Sequence, residues 1–208
     1  MDNDLKAVYN RFAEKYQDNR ETFDMSEIFN DFFNKLDTKN GELLDLGCGT
    51  GDAFPKLFIT KGWNVTGVDF SEKMLALAKK YQPEMKTILS DIAEYDIPQM
   101  KFDAITGIYS LFHIEQVKHR ELFTKIFKGL RSGGKALFTY AGKEYTGAET
   151  FDGNIEFMGE SLFYSHTTPE KLSKMLKDIG FSNITIDRHE IGGETFLWVT
   201  VNKDRSRS

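Results

Sequence analysis

One cysteine in 208 residues leaves no partner for an intramolecular disulfide. That cysteine, Cys48, lies inside a glycine motif, which suits a reducing compartment and a cytoplasmic location. No stretch approaches the about 18 continuous apolar residues of a membrane span, so none is expected. The N-terminal segment is charged and amphipathic and lacks the apolar core of a signal peptide. Net charge is -5, without a block of like charges, so nothing favours a nucleic-acid partner. No group of His, Cys and acidic residues has metal-ligand spacing, and no metal is expected. No internal repeat is visible.

The chain has ample material for a core: 40% of it is hydrophobic, and phenylalanine supplies 18 residues. Its length predicts a single domain over 1–203, with a disordered tail over 204–208. Leu5, Val8, Tyr9, Phe12, Ala13 and Tyr16 recur at spacings of three and four, which predicts a one-faced helix over 3–16. A second helix over about 25–36 carries Ile28, Phe29, Phe32, Phe33 and Leu36, with Asp24 and Glu27 as a capping box. Together these form an N-terminal helical cover over 1–38. From Asn40-Gly41 onward, short strands alternate with helices. Strands are expected at 42–46, 64–69, 85–89, 102–108 and 134–140, and helices at 52–61, 71–81 and 115–130. Repeated strand–helix units imply parallel strands with right-handed crossovers, hence a doubly wound α/β sheet. An irregular insert is expected over 142–167. Thr168-Pro169 then opens a helix that Gly180 closes. Segments 182–190 and 195–202, joined around Gly192-Gly193, read as an antiparallel pair.

The run Leu43-Leu-Asp45-Leu-Gly47-Cys48-Gly49-Thr-Gly51 is a buried strand entering a glycine turn before a helix. Such a corner cradles nucleotide ligands. Dinucleotides and S-adenosylmethionine (SAM) both use it. A dinucleotide fingerprint counted from Gly47 needs a small residue where Asp52 stands, and an anion there opposes a diphosphate. SAM carries no phosphate and brings a sulfonium and an ammonium. Asp45 is placed to hold the ammonium side, and the loop amides to meet the carboxylate. Asp69 ends the second strand, where a carboxylate accepts from both ribose hydroxyls, or else caps the helix from Ser71. Asp91 follows the third strand and either meets the adenine amino group or caps the next segment. Phe70, Met74 and Ile92 are the expected apolar walls.

These motifs, in this order, resemble the class I SAM-dependent methyltransferases over most of the chain. Asp45 to Gly51 look like the first motif of that family, Asp69 like its second-strand acid and Asp91 like the acid after its third strand. Phe102 to His113 and Leu130 to Phe138 resemble its fourth-strand motif and the turn into strand five. Tyr9 to Tyr16 is similar to the helix that covers SAM in small-molecule members, which points to Tyr16 as a cofactor contact. The resemblance implies a Rossmann-like, mostly parallel seven-stranded sheet whose last strand is antiparallel. It also implies methyl transfer from SAM by in-line displacement, leaving S-adenosyl-L-homocysteine.

On this reading Gly47, Cys48, Gly49 and Gly51 approach the cofactor, and Gly107, Ile108 and Tyr109 line its methionine arm. Cys48 is a small filler. Asp103, at the far end of its strand, is structural. His113 either faces the acceptor as a base or packs on the helix below. Tyr9 either packs in the core or touches SAM. Tyr164 and His166 lie in the insert expected to form the acceptor site, and with His113 they are the candidate catalytic residues. His119 and His189 read as surface residues. The expected acceptor is a small molecule. An RNA or protein methyltransferase is the alternative, disfavoured by the acidic balance. Gly107-Ile-Tyr-Ser110 also stands where many amino-group modifiers of macromolecules carry Asn/Asp-Pro-Pro-Tyr. A non-catalytic SAM-binding module is the third reading.

Overall fold

The computed structural model describes residues 5–11, 24–52, 54–157 and 159–205. Five parallel strands form the body of the sheet: β1 (Glu42–Leu46), β2 (Asn64–Asp69), β3 (Lys86–Leu89), β4 (Phe102–Gly107) and β5 (Leu130–Tyr140). The hairpin β8 (Ser182–Ile191) and β9 (Glu194–Asn202) completes a seven-stranded sheet of order β3-β2-β1-β4-β5-β9-β8. β9 runs antiparallel to β5, with Phe138 opposite Val199. Strand order reverses between β1 and β4, which opens a crevice at the carboxyl ends of both strands.

β1, β2 and β4 are buried along most of their length because helices cover both faces. Leu44 and Leu46 of β1 pack on one side with Leu122, Phe123 and Ile126 of α5 (His119–Gly129) and Leu172 and Leu176 of α7 (Pro169–Ile179). Leu43 points the other way, among Phe29 and Phe32 of α2 (Ser26–Asn34), Phe54 and Phe58 of α3 (Phe54–Thr60) and Leu75 of α4 (Glu72–Tyr81). The period of two along β1 thus feeds two cores. Thr168 caps α7 by accepting from the Lys171 amide, Pro169 opens it, and Gly180 closes it at φ 118°. The remaining described N-terminal residues, 5–11, are helical and form α1. Leu5 and Val8 are buried against Phe112, Leu162 and Tyr164. Phe12, Ala13 and Tyr16 lie outside the described residues.

Three expectations change. No capping box forms at α2: its N-cap is Met25, and Asp24 instead accepts from the Ser26 amide at 2.9 Å. Asp24 stands one residue too early, so its carboxylate closes a local turn. The stretch after β5 is regular rather than irregular. It holds a short helix, α6 (Lys143–Thr146), and an antiparallel hairpin, β6 (Phe151–Phe157) and β7 (Glu160–His166). Half-buried Phe151, Gly153, Ile155 and Phe157 alternate with exposed Asp152, Asn154 and Glu156. The central glycine hides this period of two in the sequence. His119 is buried, at 1% exposure, and is not a surface residue. It lies on the face of α5 that carries Leu122, Phe123 and Ile126, and both its ring nitrogens are satisfied, by Ile114 O and the Tyr140 hydroxyl.

Candidate active site

Two groups of residues meet at the carboxyl edge of the sheet. The first is the glycine loop after β1. Gly47 has φ 77°, and a Cβ on it would stand 2.3 Å from the Ser110 Cβ. Glycine is therefore required both for the turn and for the approach of the β4 loop. The Gly47 and Cys48 amides donate to Val68 O, and the Gly49 amide donates to Asp69 Oδ2 at 2.9 Å. Asp69 Oδ1 accepts from the Ser71 amide at 2.8 Å. One buried carboxylate thus ties the loop to the start of α4. Cys48 is a buried filler: a Cβ on Gly67 of β2 would stand 2.6 Å from its Sγ.

Asp45, buried at the end of β1, accepts from the Thr106 hydroxyl at 2.6 Å. Asp91 accepts from the Ala93 amide at 2.8 Å. Asp45, Asp69 and Asp91 therefore lie at the ends of three neighbouring strands, and their carboxylates favour a cationic ligand. Within this corner the Thr50 hydroxyl is fully buried and has no hydrogen-bond partner among the described residues. An open polar atom in a loop whose amides are engaged fits a ligand with polar groups. Met74 and Ile92 are buried and Phe70 is half-buried.

Gly107 closes β4, and a Cβ there would meet Leu111 Cγ at 2.9 Å. Half-buried Ile108 and Tyr109 follow. Tyr109 adopts φ 55°, a left-handed conformation that costs a non-glycine residue about 1–2 kcal/mol. Its amide donates to Thr139 Oγ1 at 2.6 Å, which holds the turn. Strain of this kind collects at functional sites. Asp103 lies at the opposite end of β4, accepting from the Glu42 amide and Arg131, as its structural reading requires.

The second group centres on His113, in the short 3-10 turn Leu111–His113. Its Nδ1 lies 2.6 Å from Phe163 O, and its Nε2 lies 2.8 Å from the Tyr9 hydroxyl. A carbonyl only accepts, so Nδ1 carries the hydrogen and Nε2 accepts from Tyr9. Burial pushes the His113 pKa down to about 4, although the Phe163 carbonyl opposes the shift. The imidazole is therefore neutral near pH 7. Tyr164 packs beside it, with ring centroids 4.8 Å apart, and stacks on Phe112. The Tyr164 and Tyr145 hydroxyls are 3.1 Å apart. Burial raises the Tyr164 pKa, so the phenol stays protonated.

His113 and Tyr164 are thus brought together. His166 is engaged elsewhere, with Nε2 2.7 Å from the Thr146 hydroxyl and Nδ1 3.3 Å from Thr167 O. Among the described residues no hydrogen bond or ring contact joins it to His113. Tyr9, by contrast, is a direct partner of His113 across 104 positions. Its helical spacing signals an inward face but not this partner. Tyr9 also packs edge-on against Phe70 at 5.7 Å, and Asn10 accepts from the Ser71 hydroxyl at 2.6 Å. α1 therefore spans from the His113 group to the Asp69 corner. Among the described residues no group of acids, His or Cys is placed to hold a metal ion. No helix among them is long and apolar enough to cross a membrane.

Comparison with known proteins agrees with this geometry. Residues 43–134, from β1 to the start of β5, match the family described as "Methyltransferase domain". An uncharacterized methyltransferase of Bacillus cytotoxicus is 32% identical over 139 residues, which are 66% of this chain and 62% of the relative. Phosphoethanolamine N-methyltransferase 1 of Zea mays is 30% identical over 165 residues, 76% of this chain and 32% of that protein. The chain thus spans less than two thirds of either relative. The structure of Burkholderia thailandensis 1,6-didemethyltoxoflavin-N1-methyltransferase superposes with a TM-score of 0.73 at 17% identity, covering 96% of this chain and 87% of that one. The matched segment, the strand order and the acid-bearing strand ends all agree with a class I SAM-dependent methyltransferase domain.

Proposed function

We propose that this chain transfers the methyl group of SAM to a small-molecule acceptor. The observation that carries the proposal is the adjacency of the two groups. The Gly47–Gly51 loop locked by Asp69 and the part-buried Tyr9–His113 pair are neighbours, joined by the Tyr9–Phe70 contact. Asp69 would hold the ribose, Asp91 and Ile92 the adenine, and Asp45 with the loop the methionine end. Gly107, Ile108 and Tyr109 would line the arm between. When bound, SAM supplies a methyl group on sulfur, already a good leaving group. The protein's share is alignment and exclusion of water.

Tyr9 and His113 provide the alignment on the acceptor side. The neutral Nε2 accepts the Tyr9 hydroxyl hydrogen and so fixes the orientation of the phenol. A phenol held in this way would orient the acceptor's nucleophilic atom toward the methyl group. Behind this pair the rings of Phe112, Tyr164 and Phe196 pack on one another as a wall, each exposed by no more than 3%, and so keep water from His113. The B. thailandensis neighbour is described with 1,6-didemethyltoxoflavin and S-adenosylhomocysteine bound, in line with a small acceptor.

The test is formation of S-adenosylhomocysteine from SAM with a panel of small amines, phenols and thiols, set against transfer RNA and unfolded protein. Turnover with a small acceptor that drops in Tyr9→Phe supports the proposal. Turnover with RNA or protein alone overturns the acceptor class. Cofactor binding without turnover on any of them favours a binding module.

A further inference from the structure

Histidines gather at β7. His166 belongs to it, His113 bonds to Phe163 O, and His119 Nε2 lies 3.0 Å from Ser165 Oγ. All three rings are used alike, with one nitrogen on a backbone carbonyl and the other on a hydroxyl. His113 stands between Phe163 O and Tyr9, His119 between Ile114 O and Tyr140, and His166 between Thr167 O and Thr146. A carbonyl only accepts, so each ring donates to backbone and accepts from the hydroxyl, in one tautomer. Burial lowers all three pKa values, which keeps the rings neutral near pH 7.

His119 bonds to the residue that follows His113. The Ile114 carbonyl takes two donors, His119 Nε2 at 2.8 Å and the Ser165 hydroxyl from β7. On the other side of the ring, the Tyr140 hydroxyl at the end of β5 donates to Nδ1 at 2.8 Å and accepts from the Thr167 amide at 3.2 Å. His119, Tyr140 and Ser165 are each exposed by no more than 1%. A chain of bonds thus runs from the central sheet through α5 to the carbonyl beside His113. β7 completes the circuit, because Phe163 O takes the His113 Nδ1–H while Ser165 holds Ile114 O. Apolar side chains could fill such an interior, since replacing both partners of a buried hydrogen bond is nearly neutral. What a fully satisfied network adds is one fixed geometry. Here that geometry is the seat of the 113–114 backbone on β7. A turn displaced from this seat would take His113 off Phe163 O and release its tautomer.

We infer that His119 and Ser165 are positioning residues: together they grip the Ile114 carbonyl and so hold the His113 imidazole on Phe163 O, in the tautomer that accepts from Tyr9. Tyr140 anchors the grip to the sheet. The inference rests on the reading that places Tyr9 and His113 at the acceptor, and it adds the residues that set their geometry.

The experiment is nitrogen–proton nuclear magnetic resonance of the histidine rings in protein saturated with S-adenosylhomocysteine, which tells an Nδ1–H from an Nε2–H imidazole. Turnover is measured in parallel with the panel of small amines, phenols and thiols. In the unaltered protein His113 should be a single Nδ1–H tautomer. In Ser165→Ala it should populate both tautomers, and kcat should fall about tenfold or more with KM for SAM unchanged. Ser165→Thr, which keeps the hydroxyl, should restore both readouts. His119→Leu removes the other donor to Ile114 O and should change the His113 tautomer in the same sense. S-adenosylhomocysteine affinity is the control for folding and should stay within about twofold in Ser165→Ala. Loss of stability in these variants with the His113 tautomer intact overturns the inference, since that is the result of packing alone. So does a changed tautomer with kcat unaltered. If no acceptor turns over in the unaltered protein, the small-acceptor reading falls, a distinguishable result, because the ring spectra alone decide whether Ser165 and His119 set His113.

Discussion

In the glycine corner, proposed to hold the cofactor, side-chain oxygens hold backbone. Asp69 takes the amides of Gly49 and Ser71, Asp91 takes that of Ala93, and Ser110 donates to Leu46 O. Around His113, proposed to face the acceptor, side chains from distant segments hold one another. Tyr9 meets His113, Tyr145 meets Tyr164, and Phe196 stacks on Phe112. The first arrangement fixes a loop shape that one ligand class can use. The second fixes a surface whose chemistry changes with each side chain. A substitution in the corner should therefore disturb folding and cofactor binding together, whereas one in the wall should alter turnover or acceptor choice with the cofactor still bound.

The harshest test of that contrast is Gly47→Ala. Its Cβ would stand 2.3 Å from the Ser110 Cβ at φ 77°, so strain and clash together should cost about 4 kcal/mol. Urea unfolding measures the loss, and S-adenosylhomocysteine affinity should fall with it. Asp69→Asn should follow. Losing the carboxylate weakens two charge-assisted bonds to backbone, at about 1.5–3 kcal/mol for each bond lost outright. Cofactor affinity should drop about tenfold to hundredfold by calorimetry.

On the other side, His113 links stability to pH. Its pKa is about 4 in the folded state against the ordinary 6.5. The unfolded chain takes up a proton between those values and the folded chain does not. The contribution is therefore complete above pH 6.5 and is lost as pH falls toward 4, by about 3 kcal/mol. His119 and His166 shift in the same direction, so the His113 share is the part that disappears in His113→Gln. Denaturant titrations at neutral and mildly acidic pH measure it. A smaller effect is expected from Tyr9→Phe, which leaves Nε2 of a buried imidazole without its donor. Turnover should fall about tenfold or more, and stability by about 1–2 kcal/mol, with cofactor affinity unchanged. The smallest is Arg11→Ala. Its pair with Glu160 is surface-exposed, so the change in melting free energy should stay below about 1 kcal/mol.

The same contrast governs how much can be read from the chain alone. The corner is written in one short run, because Asp45, the three glycines and the strand that feeds them are contiguous. Asp69 and Asp91 recur at strand ends whose spacing the crossovers set. The parallel pairing follows from the strand–helix rhythm, whereas the seven-stranded count with its antiparallel last strand comes from the family resemblance. The wall has no such local signal. His113 is bonded to residues 104 positions before it and 50 after it, and neither partner is marked by a motif. His166 looks like Tyr164 in sequence, two residues apart on one strand, yet it is turned to Thr146 and Thr167. His119 reads as exposed until Tyr140 and Ile114 close on it. Pairings made by tertiary packing leave only a buried face in the sequence, not the identity of the partner.

The most direct test of the account is calorimetric titration of the purified chain with S-adenosylhomocysteine and, separately, with NAD. Saturable micromolar binding of S-adenosylhomocysteine, lost in Asp69→Asn, with none for NAD, is the predicted result. No binding of the adenosyl ligand, or tighter binding of NAD, would contradict the account at its centre.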